Sequence, residues 1–283
     1  MPNTYVDWAT FQGSGGLNLG TGTAYLKRLV MGLAENISRE VDRYCNRHFY
    51  PVIESRNFDG DGSTSLVIPD LIAVGTLLED TNYDGTFETG WATTDYYKFP
   101  QAANPTARDY GQPYTQLVVN AKSDGDQDVF VRGQQTYACT GTWGYWKVTK
   151  NSGATGTLAD GTTTTLVISA AATGSVEIGH TVLIDNEMVY VTNTSGTTVT
   201  VERGINGSTA VAHTGTGNIV YVLQYPGPVQ EAVFIQACRL WRRKDAAFAN
   251  TVGMPETGQM MTWTGGLDPD VKMLLSSYRR WAV

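Results

Sequence analysis

At 283 residues the chain is too long for one ordinary domain and suits one domain carrying an insert. Hydrophobic residues make up 41% of it, enough to bury a core without staples. Lys and Arg number 20 against 27 Asp and Glu, a formal charge of −7 that argues against a general nucleic-acid binder.

Cys45, Cys139 and Cys238 are odd in number and far apart, with no CxxC or Cys/His cluster, so neither a zinc site nor a disulfide framework is expected. Reduced thiols and synthesis in a cytoplasm follow from that. Met1-Pro2-Asn3-Thr4 lacks the basic and apolar regions of a secretory leader, and Leu71 to Leu78 is too short to cross a bilayer. A soluble protein with no membrane partner is the expectation.

In chain order, a Gly-rich stretch from Gly13 to Gly22 reads as an arm or loop. A helix follows from Thr23 to Arg47. Leu26, Leu29, Val30, Leu33, Ile37, Val41 and Tyr44 recur at three- and four-residue spacing and predict its buried stripe. From Val52 to Trp146 the period changes to short runs broken by turn signals such as Asp59-Gly60-Asp61-Gly62 and Asp84-Gly85. Strands are expected at Leu66–Ile68, Tyr96–Phe99, Gln116–Val119 and Thr136–Trp143, with a polar loop from Pro100 to Pro113.

Between Lys150 and Val222 Thr and Gly dominate and few charges occur. Alternating runs at Thr164–Ser169, Thr181–Ile184, Met188–Thr192, Thr197–Val201 and Asn218–Val222 predict a small all-β module. The compositional shift is abrupt at both ends. We therefore expect an inserted β domain over 150–222, within a discontinuous core of 1–149 and 223–283. A second helix is expected from Pro226 to Lys244, with Arg239, Arg242, Arg243 and Lys244 near its C-terminal end. A loop from Gly253 to Gly266 leads to a last short helix, opened by Asp268 as cap and Pro269 at its first position. The expected fold class is α+β: a helical body of one long N-terminal and two C-terminal helices, a β-hairpin or sheet segment, and the inserted all-β domain.

Asp80-Thr81-Asn82-Tyr83-Asp84-Gly85 matches the first half of a calcium loop, but the twelfth place is Trp91 rather than Glu, so a turn capped by Asx side chains is expected. Asp59 to Gly62 is read the same way. His48, His180 and His213 are isolated in sequence, so no metal is expected. No GxSxG elbow, Walker loop or HExxH helix occurs. No cofactor and no catalytic residue is assigned, although paired carboxylates of the glycosidase type leave no local sequence signal. The basic group at Arg239, Arg242, Arg243 and Lys244 reads as a solvated helix face, with a contact to a neighbouring subunit, ahead of one to DNA in a channel, as the functional alternative.

Two stretches at opposite ends of the chain carry a resemblance. The run from Ile37 to Tyr50, with Val41-Asp42-Arg43-Tyr44-Cys45-Asn46-Arg47-His48-Phe49 at its centre, resembles the first long helix of the head-tail connector proteins of tailed bacteriophages. The run Leu267-Asp268-Pro269-Asp270-Val271-Lys272-Met273-Leu274-Leu275-Ser276-Ser277-Tyr278-Arg279-Arg280 resembles the terminal helix of that family, and Thr140 to Tyr145 its last core strand. The chain departs from the family in a gap of about eighty residues where few are expected. That insert is itself similar to a small β module recurring in phage virion proteins, through Ile184 to Thr192, Thr198 to Ala210 and His213.

The resemblance implies a structural virion protein, not an enzyme: a connector or adaptor subunit of a ring, typically a dodecamer, beneath the portal. Such a ring extends the DNA channel without sequence-specific binding and docks the next neck or tail protein (a stopper or tail terminator). It implies assembly in the host cytoplasm and a place at the neck of the virion. Contacts with the portal or a neighbouring subunit are expected at Tyr278, Arg279, Arg280, Trp281, Arg239, Arg242 and Arg243. Inside the insert, Arg203 or His213 is expected to pair with Glu187 and fix a turn, the sharper alternative being a catalytic Glu/His pair. A tail or receptor-binding protein and a cell-wall-acting enzyme are the competing readings.

Overall fold

A computed structural model of the chain describes residues 2–13, 22–108, 111–123, 127–169, 174–215, 217–243, 251–254, 259–262 and 266–280. These group into two compact units. The first comprises Met1–Asn46, Lys150–Ile205 and Thr209–Val283, and the second Arg47–Thr149 with Asn206–Ser208.

Among the described residues the first unit holds four α-helices and a closed six-stranded barrel. After the short helix α1 (Trp8–Gly13), α2 runs over Ala24–Cys45. The Thr23 hydroxyl accepts the Leu26 N–H at 3.2 Å to open α2, and Asn46, in the left-handed region at φ 53, closes it. The buried stripe of α2 is the expected one in part: Val30, Ile37 and Val41 are buried, while Leu26, Leu33 and Tyr44 are only half-buried. Val30, Ala34, Ile37, Ser38, Val41 and Cys45 face inward, whereas Leu29 is 47% exposed. The small residues decide it. Ser38 turns its hydroxyl back to the Ala34 carbonyl at 2.7 Å and also accepts the Tyr5 N–H, so the N-terminal segment lies close against this face.

The barrel strands are β7 (Val148–Thr157), β8 (Thr165–Ile168), β9 (Thr181–Ile184), β10 (Glu187–Ser195), β11 (Thr198–Glu202) and β12 (Ile219–Gln224). They close in the order β10-β11-β8-β7-β12-β9. The barrel thus starts at Val148 and ends at Gln224, against expected limits of 150 and 222. Alternation puts Leu166, Ile168, Val182, Ile184, Val199, Val201, Val220 and Val222 in its core, while Thr165, Val167, Thr198 and Thr200 point outward. β7 carries no apolar alternation of its own. Its Gly156 sits where an added Cβ would lie 2.7 Å from Val220 and 2.8 Å from Leu166, so glycine lets that backbone close on the core. Helix α3 (Gly227–Arg243) buries Val229, Ala232, Val233 and Ala237, and α4 (Pro269–Leu275) opens with the Asp268 carboxylate accepting the Asp270 N–H at 3.0 Å.

The second unit is a six-stranded antiparallel sheet of β1 (Val52–Gly60), β2 (Ser65–Glu79), β3 (Thr89–Trp91), β4 (Tyr96–Phe99), β5 (Tyr114–Val119) and β6 (Gly133–Trp143). Its order is β1-β6-β2-β5-β4, with β3 paired to β2. The long β2 pairs with β5 through its first half and with β6 through its second, with register shifts between Leu71 and Ala73 and between Val74 and Thr76. Trp91 stacks on Phe130 at 4.8 Å between centroids, and Tyr137 meets both edge-on in the core.

The expected α+β class, organised around a helical body, is corrected by this architecture. The protein is mostly β: among the described residues twelve strands form two sheets, one of them a closed barrel, and two more form a separate hairpin. The reason lies in strand length. β2 runs 15 residues through Pro69 and Gly75, β6 runs 11, and β7 runs 10 through Gly and Thr, where the sequence shows only short apolar runs. The expected loop from Gly253 to Gly266 also contains a two-stranded hairpin, β13 (Thr251–Met254) with β14 (Gln259–Thr262). Residues 14–21 of the expected Gly-rich arm lie outside the described residues. Among the described residues no helix is long and apolar enough to cross a membrane.

Candidate functional site

A dense polar cluster of the first unit lies where β9, β10 and the chain after β11 converge. β9 and β10 form a hairpin with Ile184 opposite Glu187, and the turn between them puts Asp185 at φ 51, a conformation that Asp tolerates better than most residues. That places Glu187 at the first position of β10 with its side chain fully buried. β11 ends at Glu202, so Arg203 emerges beside it. The two meet in a bidentate pair, Arg203 Nε to Glu187 Oε1 at 2.6 Å and Nη2 to Oε2 at 2.8 Å.

The rest of each group is also spoken for. Glu187 accepts the backbone N–H of Gly204 and of Val211, both at 3.1 Å, and lies 3.0 Å from His213 Nε2. Arg203 donates to the carbonyls of Asp160, Thr163 and Val211 at 2.9, 2.8 and 2.6 Å. His213 Nδ1 faces the Asp185 carboxylate at 2.8 Å, and the His213 backbone pairs with Leu158 in both directions. Burial by itself raises the Glu187 carboxyl, but Arg203, the Val211 N–H, His213 and the Gly204 N–H outweigh it. They hold the group down at about 2.

Chemically this is a lock. A general base needs a lone pair within reach of a substrate proton, and both carboxylate oxygens of Glu187 are committed to internal donors. The cluster pins the segment 203–213 to the turn after β9 and to residues 158–163.

The other sequence-predicted residues are dispersed. Arg239 on α3 is ion-paired with Asp268, and with Asp270 at 3.1 Å, which ties α3 to the start of α4. Arg242 is exposed and Arg243 half-buried. Tyr278 is half-buried, and burial raises its hydroxyl above the ordinary value. The Arg279 guanidinium lies over the Tyr44 ring at 5.6 Å, and the Arg280 N–H donates to the Cys45 carbonyl at 2.8 Å. Trp281 and Lys244 lie outside the described residues.

Asp80, Asp84 and Glu88 bring carboxylate oxygens within 4.8 Å of one another. Asp80 accepts the Gly85 N–H at 2.8 Å and the Asp84 N–H at 3.3 Å, Asp84 accepts the Thr86 N–H, and the Asn82 amide donates to Glu88. These are the bonds of an Asx-capped turn. In the other acidic turn, Asp61 accepts the Ser63 N–H at 2.8 Å and Asp59 the Gln135 N–H at 2.6 Å.

Sequence reasoning missed the N-terminal segment altogether. Tyr5 donates its hydroxyl to Asp42 at 2.5 Å, Arg39 pairs with the other Asp42 oxygen at 3.2 Å, and His180 Nε2 lies 3.4 Å from Asp7. The local signal was Asp7 ahead of Thr10, whose N–H it accepts at 2.8 Å as a helix cap. Burial pushes the Asp42 carboxyl up to about 6, despite Arg39, Tyr5 and Arg43. A carboxyl raised in the folded state binds its proton more tightly there than in the unfolded chain. Its stabilisation is complete below pH 3.8 and is lost as the pH rises through about 6. The unfolding free energy of the first unit is thus expected to drop by roughly 1–3 kcal/mol between pH 4 and 7.5. Urea melts across that range, with Asp42→Asn as the comparison, check it. An equal slope in both proteins would remove Asp42 as the cause.

No protein-family model matches the chain, and no curated protein is similar to it.

Proposed function

We propose that the chain is a structural, non-enzymatic virion protein of a tailed phage: a head-to-tail connector subunit that works in a ring beneath the portal. The supporting observation is the meeting of two stretches that resemble that family from opposite ends of the sequence. The end of α2, Tyr44 and Cys45, receives Arg279 and the Arg280 N–H. Asp268 and Asp270, which open α4, hold Arg239 of α3. A bundle tied together in this way gives each copy a stiff body to pack against its neighbours. The net charge of −7 suits a channel wall along which DNA slides without sticking. The commitment of Glu187 and His213 to internal bonds argues for a mechanical role of the barrel over a hydrolytic one. Partners under this reading are further copies of the chain, the portal, and a stopper or tail terminator.

A receptor-binding or tail role is the second reading, favoured by the Thr-rich outer face of β8 and β11, where Thr165, Thr198 and Thr200 are exposed. Electron microscopy of virions labelled with a Fab against residues 150–222 separates the two. Label at the neck is the expected result. Label at the tail tip or on fibres would discard the connector reading.

A further inference from the structure

The N-terminal segment is seated in a groove of the first unit built by parts of the chain remote from it. Asn3, Thr4, Tyr5, Val6, Trp8 and Phe11 are all buried. Thr4 donates to the Gly179 carbonyl at 2.8 Å, the Trp8 N–H to the Ile178 carbonyl at 2.9 Å, and the Thr181 hydroxyl to Asn3 at 3.0 Å. Ser38, Arg39 and Asp42 of α2 hold Asn3 and Tyr5 from the other side, and Phe11 meets Phe234 of α3 at 5.6 Å between centroids. The groove is therefore complementary to one particular peptide, this chain's own residues 3–11.

Covalently, that peptide joins α2 only through residues 13–22, Gly-Ser-Gly-Gly-Leu-Asn-Leu-Gly-Thr-Gly, five of which are glycine. Ten residues reach at most about 33–36 Å. We propose that in the assembled ring the segment is exchanged, residues 3–11 of one copy filling the groove of the next, so that each subunit is stapled to its neighbour. The inference rests on the ring reading above.

Exchange conserves every contact just described, since the groove meets the same side chains from either chain. What changes is the tether. Closing it within one copy carries a loop entropy that varies only slowly with length. In a ring, a neighbouring groove within reach competes at an effective concentration of order mM. Exchange of an identical element is a low-cost route to assembly because no new surface has to be made complementary. Four large apolar side chains, Tyr5, Val6, Trp8 and Phe11, thereby become interface.

Asp7 and His180 stand on opposite sides of this contact and border a cavity of about 510 Å³, so both are accessible to a small reagent. The test uses the full chain carrying Asp7→Cys and His180→Cys in a Cys238→Ser background, since Cys45 and Cys139 are buried. The protein is treated with a short bifunctional thiol reagent and run on a denaturing gel, with its oligomeric state measured in parallel by light scattering. Thr10→Cys with Lys150→Cys, which line the same cavity, is the second pair should the first variant fold poorly. Covalent dimers and higher multiples from oligomeric protein are expected. Oligomers whose cross-links stay within single chains would overturn exchange and leave the ring reading standing. A chain that is monomeric at every concentration, with internal cross-links only, would overturn both.

Discussion

Replacing Glu187 with alanine is expected to lower the unfolding free energy of the first unit by roughly 3–5 kcal/mol, the range for breaking a buried ion pair from one side. The substitution leaves Arg203 buried, with only the Asp160, Thr163 and Val211 carbonyls to receive its charge. It also strips the Gly204 and Val211 N–H groups of their acceptor. Glu187→Gln keeps the shape and one accepting oxygen, so a smaller loss is expected.

Acid should mimic the alanine variant. The Glu187 carboxyl is held at about 2 in the folded state against 4.5 unfolded. The unfolded chain therefore takes up the proton first. The contribution is complete above pH 4.5 and is lost as the pH falls towards 2, about 3 kcal/mol in all. Glu187→Gln should lack that acid limb. Hydrogen exchange of peptides spanning 181–213, read with denaturant melts, decides the matter. Unchanged protection there in Glu187→Ala would mean that the cluster does not hold the barrel together.

Where the structural information is local, the sequence carries it openly. Asp268-Pro269 predicts the start of α4 because a cap and its proline act within three residues, and Thr197–Val201 predicts β11 because alternation reports one buried face. The ends of α2 were legible for the same reason, but its buried face was so only in part. Val30, Ile37 and Val41 of the expected stripe are buried, but Ala34, Ser38 and Cys45 complete the inward face in place of the leucines, and the Tyr5 backbone lies settled against Ser38 on that face. β7 is a strand because β8 and β12 offer it partners, and a run of Asn-Ser-Gly-Ala-Thr-Gly has no periodicity to announce that. In the polar cluster, the motif brings Glu187, Arg203 and His213 to notice. The carbonyls of Asp160 and Thr163 that complete Arg203 come from forty residues away and leave no mark in sequence. The preponderance of β structure was missed by the same route, through strands long enough to absorb proline, glycine and bulges.

Trp8→Ala should cost as much as the loss of Glu187, about 3–5 kcal/mol, although it lies outside every regular element predicted from sequence. The indole is 2% exposed in the groove formed by the remote parts of the first unit. Gly22, at φ +65, passes so close that an added Cβ would lie 2.7 Å from the ring, and the Lys27 ammonium stands 5.7 Å from its centroid. Truncation removes that packing and leaves a void that this backbone, already against the ring, can fill only by moving. Tyr5, Val6 and Phe11 would then hold the segment with one fewer anchor. Exchange should rise first in residues 3–11, next in the Ser38–Asp42 turn of α2 and in 178–181, which bond the segment directly. Trp8→Phe, which keeps an aromatic ring in place, should restore most of the protection. Equal protection of residues 3–11 in Trp8→Ala and the parent would mean that the segment is held by its backbone and polar contacts alone, with its aromatic side chains contributing little.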